Sequence, residues 1–115
     1  MQITYKSTKV EKQFSSTYKK NWTYPKQVQN KLEAAENFIK NACSLLDVVN
    51  YPPFHFEKLK GNRKDEWSIR LGNTGYRVTL YPCDDEGNKI IGGDILALCK
   101  MIKIVLVTEV SNHYE

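Results

Sequence analysis

The sequence predicts an α+β domain in which two N-terminal helices pack on one face of a small, largely antiparallel sheet. Apolar residues recur at helical spacing in the first 46 residues, alternate at strand spacing over residues 66–81 and run consecutively within residues 102–110. The chain has 115 residues, 41% of them hydrophobic and 26% charged, as is ordinary for a globular domain. We therefore expect one domain over residues 1–115, with the element order β-α-α-β-β-β.

The chain begins with a short β-capable run, residues 2–5, followed by a basic amphipathic helix. Ser7 or Thr8 can cap this helix, and Thr8 has a glutamate three residues later, at capping-box spacing. Apolar side chains at i, i+4 and i+8 predict a helix over residues 9–18, with most of its lysines off the stripe. These lysines form either a solvated face or a contact with an RNA backbone or a partner protein.

A second helix is predicted from the longest apolar stripe. Pro25 suits its first turn, and the stripe continues to Leu46 over about six turns, so this helix should cover the sheet. Two prolines within residues 50–53 end it. Residues 54–59 then lead into the next strands as extended chain or loop.

Residues 66–81 predict a β-hairpin. Polar and apolar residues alternate on both sides of a turn at residues 72–75, Gly-Asn-Thr-Gly. If Leu71 lies opposite Tyr76, Arg70 pairs with Arg77 and an apolar face forms. Its members are Trp67, Ile69, Leu71, Tyr76, Val78 and Leu80.

The arginine pair is the feature of the hairpin that packing explains least. Arg70 and Arg77 should share the face opposite the apolar one, and like charges directly across a sheet are destabilising. We therefore expect an anion between them, such as a phosphate or a partner's carboxylate. The structural alternative is a salt bridge to Glu66 or Glu109.

The C-terminal third should supply a central strand. Residues 84–88 form an acidic, solvated turn, residues 90–91 briefly continue the strand before two glycines, and Asp94 can cap a short helix to about residue 98. Residues 102–110 predict a strand buried on both faces. If this strand lies beside the hairpin, His113 and Tyr114 come to the rim of the arginine-bearing surface.

Composition limits the classes of binding partner and the cellular location that we expect. A net charge of +4 and a pI near 8.9 suit a polyanion, which leaves nucleic acid, a membrane surface or an acidic protein. The N-terminus lacks a signal-peptide core and no apolar run approaches the ~20 residues of a membrane span, so we expect a cytoplasmic protein. Three scattered cysteines without CxxC spacing indicate buried or incidental thiols rather than disulfides or a zinc site. No cofactor or metal is expected.

The residues outside the core pattern match the needs of metal-free RNA cleavage. A base takes the 2′-OH proton, the oxygen attacks the adjacent phosphate, an acid protonates the leaving 5′-oxygen and cations stabilise the transition state. Histidine suits proton transfer near neutral pH, and arginine grips phosphate oxygens. The candidates are Lys58, Lys60, Arg63, Lys64, Arg70, Arg77, His113 and Tyr114.

Four stretches also resemble a known family. LKGNR at residues 59–63, WSIR at 67–70, GYRVTL at 75–80 and EVSNHY at 109–114 resemble the HigB-type toxins of the RelE superfamily, the plasmid maintenance system killer proteins. The resemblance implies a RelE-like fold and a metal-independent mRNA interferase, an endoribonuclease that cleaves translated mRNA on the ribosome. It further implies a toxin-antitoxin system with a HigA-like helix-turn-helix antitoxin, through which alone the toxin would meet DNA.

The resemblance also assigns roles. Lys60, Arg63 and Arg77 match the family's phosphate-binding cations, and His113 with Tyr114 matches its closing pair. The family commonly ends tyrosine-histidine, so the reversed order here leaves either residue as the proton-transfer group.

Three further cations, Lys58, Lys64 and Arg70, are added as RNA-binding residues. The family often has histidine-proline before leucine-lysine-glycine, where this chain has Glu57-Lys58 and places its histidine at position 55.

Two other functions remain open from the sequence. One is a gyrase-directed toxin of the ParE type, which would share the scaffold without nuclease action. The other is a non-catalytic module whose basic face docks RNA or an acidic protein.

Overall fold

The computed structural model describes residues 1–112, which form an α+β domain around one five-stranded mixed sheet. The strand order is β1-β5-β4-β3-β2, with β1 parallel to β5 and the other neighbours antiparallel. The strands are β1 (Gln2–Tyr5), β2 (Glu57–Lys58), β3 (Trp67–Arg70), β4 (Tyr76–Cys83) and β5 (Ile104–Asn112). The predicted fold class is confirmed, while the specifically RelE-like topology stays a prediction.

The hairpin forms in the predicted register. Arg70 lies opposite Arg77, and the three preceding pairs of β3 follow the same count. Leu71 N donates to Tyr76 O at 3.0 Å, which closes the hairpin at the expected pair. One face of the hairpin is therefore buried beneath the helices, and the other carries the arginines.

Strand β5 is an interior strand, as its consecutive apolar residues predict, because it lies between β1 and β4, while β4 occupies the middle of the sheet. The prediction that both faces of β5 are buried is wrong, since Ile104 and Leu106 are only half-buried. A β-bulge interrupts its pairing with β4: Thr79 pairs with Glu109, whereas Leu80 pairs with Val107. The extra residue is Thr108, whose hydroxyl lies 2.7 Å from that of Thr79. Both Thr108 and Glu109 consequently belong to the polar side of the sheet.

The first helix is shorter than predicted. α1 spans Thr8–Phe14, with Ser7 as N-cap accepting from Val10 N at 3.2 Å, so the capping box at Thr8 is wrong. The predicted continuation to residue 18 is also wrong, because Ser15 is extended and starts a 3₁₀ segment at Ser16–Asn21. Its hydroxyl accepts from the backbone N–H of position 17 at 3.3 Å, which favours a new turn over continuation.

The predicted second helix is two helices. α2 spans Lys26–Asn41, with Pro25 at the N-cap rather than within the first turn, and α3 spans Leu45–Val49. The chain is extended at Ala42, and the Ser44 hydroxyl accepts from Leu46 N at 3.3 Å. A serine cap thus restarts the helix, although the apolar stripe runs through the break.

The remaining connections agree with their sequence signals in most respects. Two prolines begin the 3₁₀ turn Pro52–Phe54, and Asp94 caps α4 (Ile95–Leu98) by accepting from Ala97 N at 3.2 Å. The predicted loop at residues 54–59 contains the short edge strand β2. The element order therefore has three helices before the hairpin, one after it and one strand more than predicted.

A single apolar core joins the helices to one face of the sheet. Its fully buried members include Phe14, Leu32 and Ile39 from the helices and Ile69 and Val78 from the strands. The cysteines carry free thiols, exposed at position 43 and buried at positions 83 and 99. Within residues 1–112, none of the helices has the length and apolarity to cross a bilayer.

Candidate anion-binding and catalytic site

Two arginines lie side by side where the hairpin turns. Arg70 ends β3, Arg77 is the second residue of β4, and Ser111 of β5 pairs with Arg77 on its other side. The turn between them is fixed by Thr74, whose hydroxyl donates to Leu71 O at 2.7 Å and accepts from the N–H of the following strand at 3.1 Å. The arginine positions therefore rest on hydrogen-bonded backbone rather than on a loose loop.

The arginines line a cavity of about 300 Å³, which we call the arginine cavity. Its wall carries two guanidinium groups and one carboxylate, beside small polar and glycine residues of the turn. The lining residues are Glu57, Ser68, Arg70, Gly72, Asn73, Gly75, Tyr76 and Arg77. Such a volume accommodates a phosphate with part of its attached nucleotide.

Arg77 is the most informative side chain in the cavity. Its Nε is buried and has no hydrogen-bond partner among the described residues. Neither Arg77 nor Arg70 forms an ion pair within residues 1–112, where Glu66 and Glu109 both hold Arg63 instead. An unpaired buried donor on a cation is costly, so an anion bound between the two arginines would relieve both the charge repulsion and the missing hydrogen bond.

Glu57 is a site residue to which the sequence assigned no role. In β2 it pairs with Ser68, and residues directly opposite in an antiparallel pair point to the same side, as do residues two apart in one strand. The Glu57 carboxylate therefore shares the face of Arg70 and lines the same cavity. A carboxylate facing two arginines can accept a proton close to an anion that the arginines hold.

Arg63, a predicted phosphate ligand, lies in a different cleft and is already paired. Its Nε and Nη2 donate to Glu66 at 2.8 and 3.0 Å, and its Nη1 lies 3.2 Å from Glu109. Nη2 also donates to Thr79 Oγ1 at 3.2 Å, and Thr108 Oγ1 donates to Glu66 at 2.6 Å. Arg63 thus closes a polar network that joins the hairpin to the bulge of β5.

The network sets the protonation of its members. Burial raises the pKa of Glu66, but hydrogen bonds from Arg63 and Thr108 and the Arg63 charge outweigh it and hold the pKa below its ordinary value. The hydrogen bond to Glu66 raises the pKa of Arg63 further above its ordinary value. Both groups are therefore charged at neutral pH, and Arg63 has its charge balanced without a ligand.

The predicted lysines are close in sequence to residues of the arginine cavity, but they do not line it. Lys60 and Lys64 flank the 3₁₀ turn Gly61–Arg63 and are exposed. Lys58 pairs with Trp67, which puts it on the opposite side of the sheet from Arg70. His113 and Tyr114, the predicted proton-transfer candidates, lie outside the described residues.

Comparison of the chain with protein-family models finds no match, and neither does comparison with curated proteins.

Proposed function

We propose that this chain is an endoribonuclease toxin of the HigB type in the RelE superfamily, which cleaves translated mRNA through the arginine cavity. One observation carries the proposal: Arg70 and Arg77 stand in register across two strands, with Arg77 Nε lacking a partner within residues 1–112 and Glu57 lining the same cavity. Two neighbouring cations without an ion pair in residues 1–112, with a proton acceptor beside them, suit cleavage of a phosphodiester.

In the proposed reaction the scissile phosphate sits between the two guanidinium groups. Each group can donate two parallel N–H bonds to non-bridging oxygens, and Arg77 Nε gains an acceptor that residues 1–112 do not supply. The attack adds negative charge to the phosphate oxygens in the transition state. Arg70 and Arg77 therefore stabilise the transition state more strongly than the bound substrate.

Glu57 takes the proton from the ribose 2′-OH as the 2′-oxygen forms a bond to phosphorus. The bond between phosphorus and the 5′-oxygen breaks, and a general acid gives that oxygen a proton. The products are a 2′,3′-cyclic phosphate and a free 5′-hydroxyl. The closing pair His113 and Tyr114 supplies the acid in this proposal, as the family resemblance implies, and the mechanism proceeds without a metal.

The biological setting belongs to the same proposal. The toxin would act in the cytoplasm on mRNA held by the ribosome, and a HigA-like helix-turn-helix antitoxin would neutralise it. The basic surface supports this setting, because a protein with a net charge of +4 is drawn to ribosomal RNA.

Primer extension on mRNA after induction of the protein tests the proposal. Wild type should produce cuts within translated codons, and Arg77→Ala and Glu57→Gln should each reduce cutting by roughly 10²–10⁴-fold, the usual worth of positioned proton transfer and charge stabilisation. Lys103→Ala and Asp85→Asn are the charge-matched controls, since both residues are exposed and neither lines the arginine cavity. The controls should cut as wild type does.

The other functions give different results in the same strains. DNA damage without mRNA cuts would indicate a gyrase-directed toxin, and RNA binding without cuts would indicate a non-catalytic module. Full growth arrest by both Arg77→Ala and His113→Ala would show the catalytic assignment to be wrong.

A further inference from the structure

We propose that the cleft between α1 and residues 21–24, which we call the tryptophan cleft, is a second contact for single-stranded RNA. It would stack a base on Trp22 and bind phosphates through Lys9 and Lys12. This inference rests on the proposed function and extends it, because it names a path for the RNA strand beyond the scissile phosphate.

The tryptophan cleft has a volume of about 590 Å³ and lies on the basic face of α1. Its wall carries two lysines and two aromatic rings, and no carboxylate is among its lining residues. These are Thr8, Lys9, Lys12, Gln13, Asn21, Trp22, Thr23 and Tyr24. Sites that bind single-stranded nucleic acid commonly combine aromatic rings with positively charged side chains.

The two lysines of the cleft, like most lysines of residues 1–112, have no counter-ion within the described part of the chain. Within residues 1–112, neither Lys9 nor Lys12 forms an ion pair, whereas Lys19 lies 3.1 Å from Glu33 and Lys40 lies 3.2 Å from a buried glutamate. The lysines of the predicted basic helix are therefore divided: Lys19 is compensated within the protein, and the pair in the cleft is available for phosphates.

The rings in the cleft are held in place by hydrogen bonds to α1. Trp22 Nε1 donates to Lys12 O at 3.0 Å, and the Tyr24 hydroxyl donates to Gln13 O at 3.0 Å. Both rings are half-buried and pack against each other, with centroids 5.8 Å apart. A ring fixed in this way loses little conformational entropy when a base stacks on it.

The tryptophan cleft connects to the arginine cavity through a third ring. Tyr24 packs edge-on against Tyr76 with centroids 5.7 Å apart, and Tyr76 lines the arginine cavity. Burial and the neighbouring Tyr76 raise the pKa of Tyr24 to about 12, so its hydroxyl keeps the proton that it donates to Gln13. Trp22, Tyr24 and Tyr76 thus form a row of rings between the two sites, and the proposal places the RNA strand along this row.

Binding of RNAs of two lengths tests this path without requiring cleavage. Fluorescein-labelled single-stranded RNAs of three and nine nucleotides are titrated with the Glu57→Gln protein, and anisotropy is followed across a salt series. Glu57→Gln serves as background because it leaves the cations in place. We expect the nine-nucleotide RNA to bind more tightly than the three-nucleotide RNA.

Adding Lys9→Gln and Lys12→Gln together should remove most of the advantage of the longer RNA. It should also make the slope of log K against log salt shallower by about 1.4, since each phosphate contact to a single strand contributes about 0.7. Lys100→Gln with Lys103→Gln is the matched control, because it removes the same charge at exposed positions that line neither site. The control should leave the slope and the length dependence unchanged.

Tryptophan fluorescence reports stacking without a mutation in the cleft. Trp67 is 7% exposed and stacks on Phe56 with centroids 4.7 Å apart, so quenching by RNA should come from Trp22. Trp22→Leu should abolish the quenching and weaken binding of the longer RNA by roughly fivefold or more, the usual worth of a stacked base. Thermal unfolding of Trp22→Leu checks that the fold survives loss of the Trp22 hydrogen bond.

An unchanged salt slope in the double lysine variant together with no quenching in the unmutated cleft would overturn the inference. A second result would also overturn the inference. If a twelve-residue peptide of alternating glutamate and leucine binds more tightly than the RNA, and the double lysine variant loses this binding, the cleft is a protein-docking site. The proposed function fails separately, when the wild-type protein makes no cuts in translated mRNA, and that outcome does not alter the binding results.

Discussion

Replacing Arg77 by methionine should make the protein more stable while abolishing phosphate binding in the arginine cavity. Arg77 Nε is buried without a partner among the described residues, and its guanidinium lies opposite that of Arg70. Methionine keeps an unbranched side chain of similar length, so the substitution preserves packing and removes both unfavourable terms.

The size of the gain follows from those two terms. Leaving a buried donor unsatisfied costs about 1–3 kcal/mol, and a like-charge cross-strand pair costs a few tenths of a kcal/mol more. Arg77 is only partly buried, so water recovers part of both costs, and we expect a net gain near 1 kcal/mol in the free energy of unfolding. For a domain of this size that gain corresponds to a rise in Tm of roughly 4 °C.

Urea unfolding and a thermal scan measure the change, with Arg70→Met as the control. Arg70 is exposed, so its replacement should alter stability by less than about 0.5 kcal/mol. Inorganic phosphate adds a second measurement. At ten times its dissociation constant it should stabilise the wild type by about 1.4 kcal/mol and leave Arg77→Met unchanged.

A loss of more than about 1 kcal/mol in Arg77→Met would refute the reasoning. It would mean that Arg77 stabilises the folded protein and is not reserved for binding an anion. The arginine cavity would then not be an anion-binding site. Equal stabilisation of the wild type and Arg77→Met by phosphate would lead to the same conclusion.

Two further predictions concern the polar network around Glu66. Arg63→Ala should lower the free energy of unfolding in urea by about 2 kcal/mol, because it leaves a buried carboxylate without its cation; the half-exposed position of Arg63 keeps the loss below that of a fully buried pair. Lys19→Ala, which breaks a surface pair, should cost less than about 0.5 kcal/mol, and equal losses in the two variants would contradict the buried role. Because folding lowers the pKa of Glu66, its contribution to stability should be complete above the ordinary value of 4.5 and be lost as pH falls through the lower folded value. The free energy of unfolding, measured from pH 7 to pH 3, should therefore fall less steeply for Glu66→Gln than for wild type. Parallel curves for the two proteins would show that Glu66 does not contribute to the pH dependence of stability.

The sequence predicted best where the signal was local and repeated. Alternation on both sides of a four-residue turn leaves one register that puts every apolar residue of the hairpin on one face, so Arg70 and Arg77 were paired correctly. Consecutive apolar residues likewise placed β5 in the interior of the sheet, and Asp94 marked the start of α4.

Prediction failed at the helix ends because two signals competed. An apolar stripe reports which side of the chain is buried, and it continues through a break when both helices cover the same core. The breaks after Phe14 and Asn41 are fixed by hydroxyl caps at Ser15 and Ser44, whose bonds depend on the local backbone. Serine is common on helix surfaces as well, so the sequence does not distinguish these roles.

The candidate site was predicted in part for a related reason. The hairpin register brought the arginines together, but β2 has only two residues, too few for alternation to reveal the face of Glu57. Glu66 and Glu109 were recognised as salt-bridge candidates for the arginine pair. That they bind Arg63 depends on tertiary packing beside the bulge of β5, and no spacing in the sequence encodes it.

The β-bulge also determines how this strand should be compared with other chains. Simple alternation counted from Val107 would place Glu109 in the core and Val110 outside, yet Val110 is buried and Ser111 pairs with Arg77. Thr108 absorbs the extra residue, so a chain one residue shorter here keeps the same faces if the gap is placed at position 108. An alignment that puts the gap elsewhere shifts every following residue to the wrong side of the sheet, and transfers site roles to the wrong neighbours.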